Sequence, residues 1–388
     1  MAVLSHVLPP SPSGQSRVLG LLLEGPRSHE ALYLTDDPAC LAQAESPERR
    51  ALPQENHFLL PLPAWPGLRQ ANKTAGMVPA VHRRANQIHR ALASRRPRAL
   101  VAATGSILNL PAARLAADRL GVPLVAYIFD DFRHQWPPGI YRQFARMWES
   151  AVMRSAAALI APNEFLASEY AERYGKQPAI VRNPAAPWEP APPSSPRPPG
   201  GKICIVYTGA VYDAHFDAFV NLMAALAGSD VPAGLEVFSD QPAAWLAEHG
   251  ISGPVRHHGH VPPADARQVQ TEADILFLPL GFNTPKDRAV KSSAPGKLGE
   301  YLASGRPILV HAPRDSFIAQ FFRERGCGLV VDRPDPALLR AALERLATDQ
   351  SLVKELTARA SEAAQEFSLD AARAAFWGLM DQVTKGGE

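Results

Sequence analysis

The sequence predicts two α/β domains, each a parallel sheet flanked by helices. Three observations carry this. Short apolar runs of strand length alternate with amphipathic segments of helix length in both halves of the chain. A proline-dense stretch at 183–201, NPAAPWEPAPPSSPRPPGG, lies near the midpoint and offers almost nothing that pairs in a sheet or continues a helix. The length of 388 residues exceeds one ordinary domain, and 46% hydrophobic against 20% charged residues is the balance of a chain with full cores.

In the first half, strands are expected at Ala2–His6, Ala31–Leu34, His57–Leu60, Ala99–Ala102, Leu124–Phe129, Ala158–Ala161 and Ala179–Val181. Between them, AARLAADRLG and NEFLASEYAERYG have helical periodicity and end in glycine, where a helix C-terminus needs it. The proline-rich stretch is read as a stiff, extended linker. In the second half, strands are expected at Ile203–Tyr207, Leu235–Phe238, Val255–His257, Ile275–Pro279, Ile308–His311 and Gly328–Val331. Helices are expected at Ala214–Leu226, Ala264–Glu272, Pro295–Ser304 and Asp335–Thr348. The domains are then 1–185 and 202–368, with a linker at 186–201 and a terminal helix at 369–388 that packs back on the first domain. Ligands of open α/β sheets bind beyond the carboxyl ends of the strands, so the site belongs in a cleft between the two sheets.

Composition excludes several classes. No apolar run approaches the roughly 18 residues of a membrane helix. The start, MAVLSHVLPPSP, lacks the basic leader and cleavage site of a signal peptide. The three cysteines (Cys40, Cys204, Cys327) are widely spaced and without CxxC, which reads as reduced thiols of a cytoplasmic protein. The net charge of +2 asks for no nucleic acid. Charge is uneven, however: through Pro190 there are 21 basic against 15 acidic residues, and much of the excess lies in VHRRANQIHRALASRRPR at 81–98. A solvated basic face and a peripheral contact with an anionic membrane surface are both open readings.

No phosphate-binding G-x-x-x-x-G-K-[ST], no G-x-S-x-G, no H-E-x-x-H and no D-x-D occurs. His257, His258 and His260 have no evident fourth ligand, so no metal is expected there. The informative segment is KSSAPGKLGEYLASGRPILVHAP at 291–313. Ser292 and Ser293 are suited to cap a helix, Pro295 to its first turn and Gly305 to its end. A helix N-terminus with Lys291 and Lys297 beside it suits a phosphate. Glu300 would lie two turns on, about 7 Å along the axis, where a carboxylate meets a ribose. A plain surface pair between Lys297 and Glu300 is the alternative.

GHVPPADARQVQTEADILFLPL followed by LGEYLASGRPILVHAP resembles the donor-binding half of GT-B glycosyltransferases, nearest the family-4-type retaining enzymes. HVLPPSPSGQSRVLGLLL, LIAPNEFLASEYAERYG with IVRNP, and VYTGAVYDAHFDAFVNLMAAL resemble other parts of the same family, so the likeness spans nearly the whole chain. It implies two Rossmann-like domains facing across a cleft, and metal-independent transfer of a sugar from a nucleoside diphosphate to an acceptor hydroxyl, with retention. No cofactor is implied; the donor is a UDP-, GDP- or dTDP-sugar, and the acceptor a glycan, lipid-linked sugar or small molecule. It implies that Glu300 holds the ribose and that Ser292, Ser293 and the following amides hold the diphosphate. Gly209 and Gly14 would lie under phosphates, and Val261 near the base. Asp130, Asp131 and His134 would face the acceptor side, the other reading being a helix cap and a surface histidine.

Two departures from the family pattern stand out. Ser292 stands where the family often has Glu, and Ala210 where it often has Arg, with no Lys in VYDAHFD. The leaving diphosphate must be neutralised by other cations, with Lys291, Arg288 and Lys297 as candidates. A nucleotide-sugar epimerase and a non-catalytic sugar-nucleotide-binding subunit are the alternatives to a transferase.

Overall fold

The computed structural model describes residues 1–9, 11, 13–25, 27–37, 49–55, 66–186, 201–285 and 287–385. Two compact units result: residues 1–182 with 372–388, and residues 183–371. Most of the proline-rich stretch and the expected strand at 57–60 lie outside the described residues.

Among the described residues, unit 1 is built on seven parallel strands: β1 (Ala2–Leu4), β2 (Leu32–Thr35), β3 (Arg49–Ala51), β4 (Leu100–Ala103), β5 (Leu124–Tyr127), β6 (Ala158–Ala161) and β7 (Ala179–Ile180). Their order is β3-β2-β1-β4-β5-β6-β7. The central strands are buried on both faces, which is why LVAA and LVAY read as continuous apolar runs and not as alternating ones. The strand β3, RRA, has no such signature and was not expected; among the described residues it pairs with β2, at the edge of the sheet. Helices end where glycine can turn left-handed: Gly121 closes Asn109–Leu120 at φ 64°, and Gly175 closes Glu164–Tyr174 at φ 67°.

Residues 372–385 of the terminal helix Leu369–Lys385 belong to unit 1. Phe376 is fully buried beside Tyr127, while Arg373 donates to the Leu21 carbonyl at 2.8 Å. Arg27 lies 4.2 Å over the Trp377 ring and is paired with Asp381. The helix Pro66–Leu92 exposes His82, Arg83 and Arg90, followed by exposed Arg95, Arg96 and Arg98. Among the described residues, no helix is long and apolar enough to cross a membrane.

Among the described residues, unit 2 has six parallel strands: β8 (Ile203–Thr208), β9 (Ala233–Phe238), β10 (Val255–His257), β11 (Ile275–Pro279), β12 (Ile308–His311) and β13 (Leu329–Val331). The order β10-β9-β8-β11-β12-β13 reverses direction between β8 and β11. At such a switch point the flanking loops part and leave room for a ligand. Helices Phe216–Ala227 and Pro336–Thr348 cover the sheet, the second capped by Asp335 accepting from the Ala337 amide.

The expected helix Pro295–Ser304 is different in the structure. A short helix, Asp287–Lys291, precedes it, and the next begins only at Leu298 and ends at Ala303. Pro295 lacks an N–H and disfavours helical backbone at Ala294, so residues 293–297 form a loop between the two. Ser292 therefore closes the first helix: its hydroxyl donates to the Arg288 carbonyl at 3.2 Å.

Candidate active site

At the carboxyl end of β8 the chain turns at Gly209, whose φ is +113°. A Cβ on Gly209 would meet Lys297 Nζ at 3.1 Å. The group that lies beside this glycine is the Lys297 ammonium. Lys297 Nζ also lies 3.6 Å from the centroid of the Tyr207 ring. No carboxylate among the described residues lies within ion-pairing distance of it. Burial pulls this ammonium down to about 7, against the opposing charge of Glu300.

Glu300 stands in the first turn of the helix Leu298–Ala303, not two turns inside a longer one. The 7 Å offset along a helix axis does not apply, because the helix starts at Leu298. Its place is fixed from the side. Gln270, almost wholly buried, donates to Glu300 Oε2 at 3.2 Å and to Thr208 Oγ1 at 3.1 Å. The Thr208 amide donates to the Tyr301 hydroxyl at 3.0 Å. Gln270, Thr208 and Tyr301 thus tie three elements together: the helix Pro263–Glu272, β8 and the helix bearing Glu300. Gly299 faces Phe367 and Ala185 so closely that a Cβ would stand 2.7 Å from Phe367 Cβ, which packs this helix tightly.

Not every expected residue joins this group. Lys291 is held by Asp287 at 3.0 Å and by Asp315 at 2.8 Å, so its charge is already met. Ser292 is buried and bonded to its own helix, and the Ser293 amide donates to the Val290 carbonyl. Val261 lies half-buried in the loop between β10 and the helix Pro263–Glu272. Arg288 is exposed on the helix Asp287–Lys291.

In unit 1, Gly14 is the first residue of the helix Gly14–Leu23, and a Cβ there would meet nothing within 4 Å. The close approach is at Gly105 after β4 instead: with φ +110°, its Cβ would fall 2.3 Å from His6 Cε1. Asp131, expected to face an acceptor, is fully buried and consumed in a network. It accepts from Arg173 at 2.5 Å and from the amides of Arg133 and His134 at 3.0 Å each. Burial pushes its carboxyl up, but the hydrogen bonds and charge of Arg173 and His134 outweigh this and hold it well below the usual carboxylate range. Glu149 extends the network to Arg133 and to the Tyr170 hydroxyl. Asp131 is a clamp for the loop after β5, not a free base. His134 Nδ1 lies 3.1 Å from it, and Asp130 is exposed at the same loop.

Comparison with known proteins decides the family. Residues 15–186 match the model of the glycosyl transferase 4-like domain, and residues 202–349 match that of the glycosyl transferases group 1. The chain is a GT-B glycosyltransferase.

Solved structures agree in fold. Sucrose-phosphate synthase from Thermosynechococcus elongatus aligns with a TM-score of 0.68 at 14% identity, over 99% of both chains. The Anabaena protein HepE in complex with UDP-glucose aligns at 0.65 and 12%, over 98% of this chain and 99% of that one. The apo form of the lipopolysaccharide outer core galactosyltransferase WaaB aligns at 0.67 and 12%, over 98% and 99%. No curated protein matches the sequence.

Three residues of the transferase's unit 2 site escaped the sequence. Gln270 and Tyr301 reach Thr208 and Glu300 through the fold alone. His215, buried, has its ring centroid 6.2 Å from that of Tyr207 in an edge-on arrangement, and its Nδ1 has no partner among the described residues. Its only sequence signal is its place in VYTGAVYDAHFD, six residues after Gly209.

Proposed function

We propose that this glycosyltransferase takes its sugar from a nucleoside diphosphate bound at the carboxyl edge of the unit 2 sheet. One observation carries the reading: Lys297 is an ammonium with no carboxylate partner among the described residues, held over Tyr207 and beside Gly209 at the β8/β11 switch point. Lys297 and the loop amides ahead of Leu298 meet the diphosphate. Glu300, braced by Gln270, accepts the ribose hydroxyls. The acceptor hydroxyl attacks the anomeric carbon as the bond to the β-phosphate oxygen breaks, its proton passing to that departing oxygen, and the leaving charge is stabilised by Lys297 without a metal. The likeness to a HepE structure holding UDP-glucose supports a nucleotide-sugar donor, with a uridine base as the first to test. Retention of configuration follows from the family resemblance.

The test is turnover with UDP-, GDP- and dTDP-sugars in the presence of a chelator. The expected result is release of one nucleoside diphosphate, unaffected by the chelator, from wild type. Lys297→Met should lower kcat/KM tenfold or more, about 1.4 kcal/mol of transition-state stabilisation. Equal rates in both proteins would remove Lys297 from the site.

A further inference from the structure

Unit 1 holds a buried polar cluster of its own, apart from the network around Asp131. Its sheet order, β3-β2-β1-β4, reverses direction between β1 and β4, and the loops leaving strands at such a point part and make room for a ligand. His6 follows β1, Asp36 follows β2 and Gly105 follows β4. The His6 ring lies against Gly105, and the His6 carbonyl accepts from the Thr35 hydroxyl at 3.2 Å. The three loops therefore meet at one place on the carboxyl edge of the sheet.

Asp36 is the open end of the cluster. Its side chain is 21% exposed, while that of Arg84 behind it is 1% exposed and Asn109 is fully enclosed. Arg84 Nη2 donates to Asp36 Oδ2 at 3.2 Å, and Asn109 Nδ2 donates to Asp36 Oδ1 at 3.3 Å. Both enclosed side chains keep polar atoms in reserve. Arg84 Nε and Nη1 and Asn109 Oδ1 are buried and have no partner among the described residues. Nη1 shares its carbon with Nη2, and Oδ1 shares its carbon with Nδ2. One open donor and one open acceptor thus stand beside the carboxylate. Buried polar atoms left unpaired are costly, and a ligand that completes them recovers that cost.

We propose that Asp36, Arg84 and Asn109 form the acceptor subsite of the transferase, and that they receive a pair of neutral sugar hydroxyls. A hydroxyl both donates and accepts, and this cluster offers both roles. One hydroxyl donates to Asp36 and accepts from Arg84 Nη1, and its neighbour donates to Asn109 Oδ1. His6 Nδ1, also without a partner among the described residues, adds a polar atom at the Gly105 turn. A phosphate or carboxylate does not suit the place. The guanidinium of Arg84 is already set against Asp36, and Asp37 brings a second carboxylate in the same loop. An arriving anion meets two negative charges against one positive. The acceptor is on this ground a neutral glycan or glycoside and not a sugar phosphate.

This inference rests on the proposed transfer to an acceptor hydroxyl. Saturation-transfer NMR on the full chain tests it, with the methyl glycosides of glucose, galactose and mannose as probes beside the 6-phosphates of the same sugars. Calorimetry with UDP, GDP and dTDP reports the donor pocket in unit 2 separately. Wild type should bind at least one neutral glycoside, at least about threefold more tightly than the matching 6-phosphate, which like charges oppose. Asp36→Asn alone leaves Arg84 enclosed without a counter-ion, so the charges are better removed together. Asp36→Asn with Arg84→Met should lower affinity for that glycoside tenfold or more and leave nucleoside diphosphate affinity within twofold. Asn109→Ala, which keeps the ion pair, should lower it at least fivefold, with circular dichroism showing a native fold. Glycoside binding that survives in either folded variant, no glycoside bound by wild type, or preference for the 6-phosphate would overturn the subsite and leave the donor pocket standing. Glycoside binding as expected, without binding of any nucleoside diphosphate, would overturn the donor pocket and support the subsite.

Discussion

Gly209 shows how one residue organises the site. Its φ of +113° is open to glycine and strained for any side chain, and Lys297 Nζ lies 3.1 Å from where a Cβ would stand. Gly209→Ala should cost about 1–3 kcal/mol of backbone strain and push the ammonium off the Tyr207 ring. The expected outcome is a diphosphate affinity reduced tenfold or more, with a lower unfolding midpoint; calorimetry and urea unfolding measure the two. Unchanged affinity would show that the turn is structural only. The glycine was legible in the sequence. Its partner was half legible, since Lys297 stood out as a cation near the right helix. Gln270 and His215 were not, because burial beside Thr208 and Tyr207 is a product of tertiary packing that spacing does not encode.

At the scale of elements, the strands were the clearest features. Parallel strands buried on both faces leave apolar runs of four to six residues, such as ILVH and ICIVYT, bounded by turns. The short edge strand RRA has neither property and escaped notice. The helix before β12 was misjudged because Ser292, Ser293 and Pro295 satisfy the general preferences for a helix start while Ser292 in fact ends a preceding turn. Proline at the third position breaks the helix as readily as it begins one. Since the Ser292 hydroxyl donates back into its own helix, to the Arg288 carbonyl, Ser292→Ala should leave diphosphate affinity within twofold and cost less than about 1 kcal/mol of stability. A tenfold loss of affinity in a calorimetric titration would restore Ser292 to the diphosphate.

For the whole molecule, the same burial that tunes the site makes the fold acid-sensitive. His311 is fully enclosed, its Nδ1 facing the Val331 carbonyl at 2.9 Å and its Nε2 facing Asn221 at 3.1 Å. Burial brings it down to about 4, and His215 to about 3. Both take a proton near pH 6.5 in the unfolded chain. Between pH 6.5 and 4 the unfolded state thus binds more protons than the native one, and stability falls as the pH falls. Asp131, held ionised by Arg173 and His134, adds a further loss below about pH 4. Thermal unfolding scanned from pH 7.5 to 4.5 should show a steadily falling midpoint, whereas a flat profile would mean that these histidines are not neutral in the native state. The two-sheet plan was legible in the sequence from the periodicity of its segments. The affinity of the terminal helix for unit 1 rests on side chains such as Phe376 and Trp377, whose partners Tyr127 and Arg27 lie hundreds of residues away.

The grip of Glu300 on a nucleoside sugar can be measured by a double comparison: the affinities of the preferred nucleoside diphosphate and its 2′,3′-dideoxy analogue, each for wild type and for Glu300→Ala. Removal of the ribose hydroxyls should weaken binding to wild type tenfold or more and binding to Glu300→Ala hardly at all, because the variant has no carboxylate left to lose. Equal losses in the two proteins would place the ribose elsewhere and contradict the assignment of this pocket to the donor.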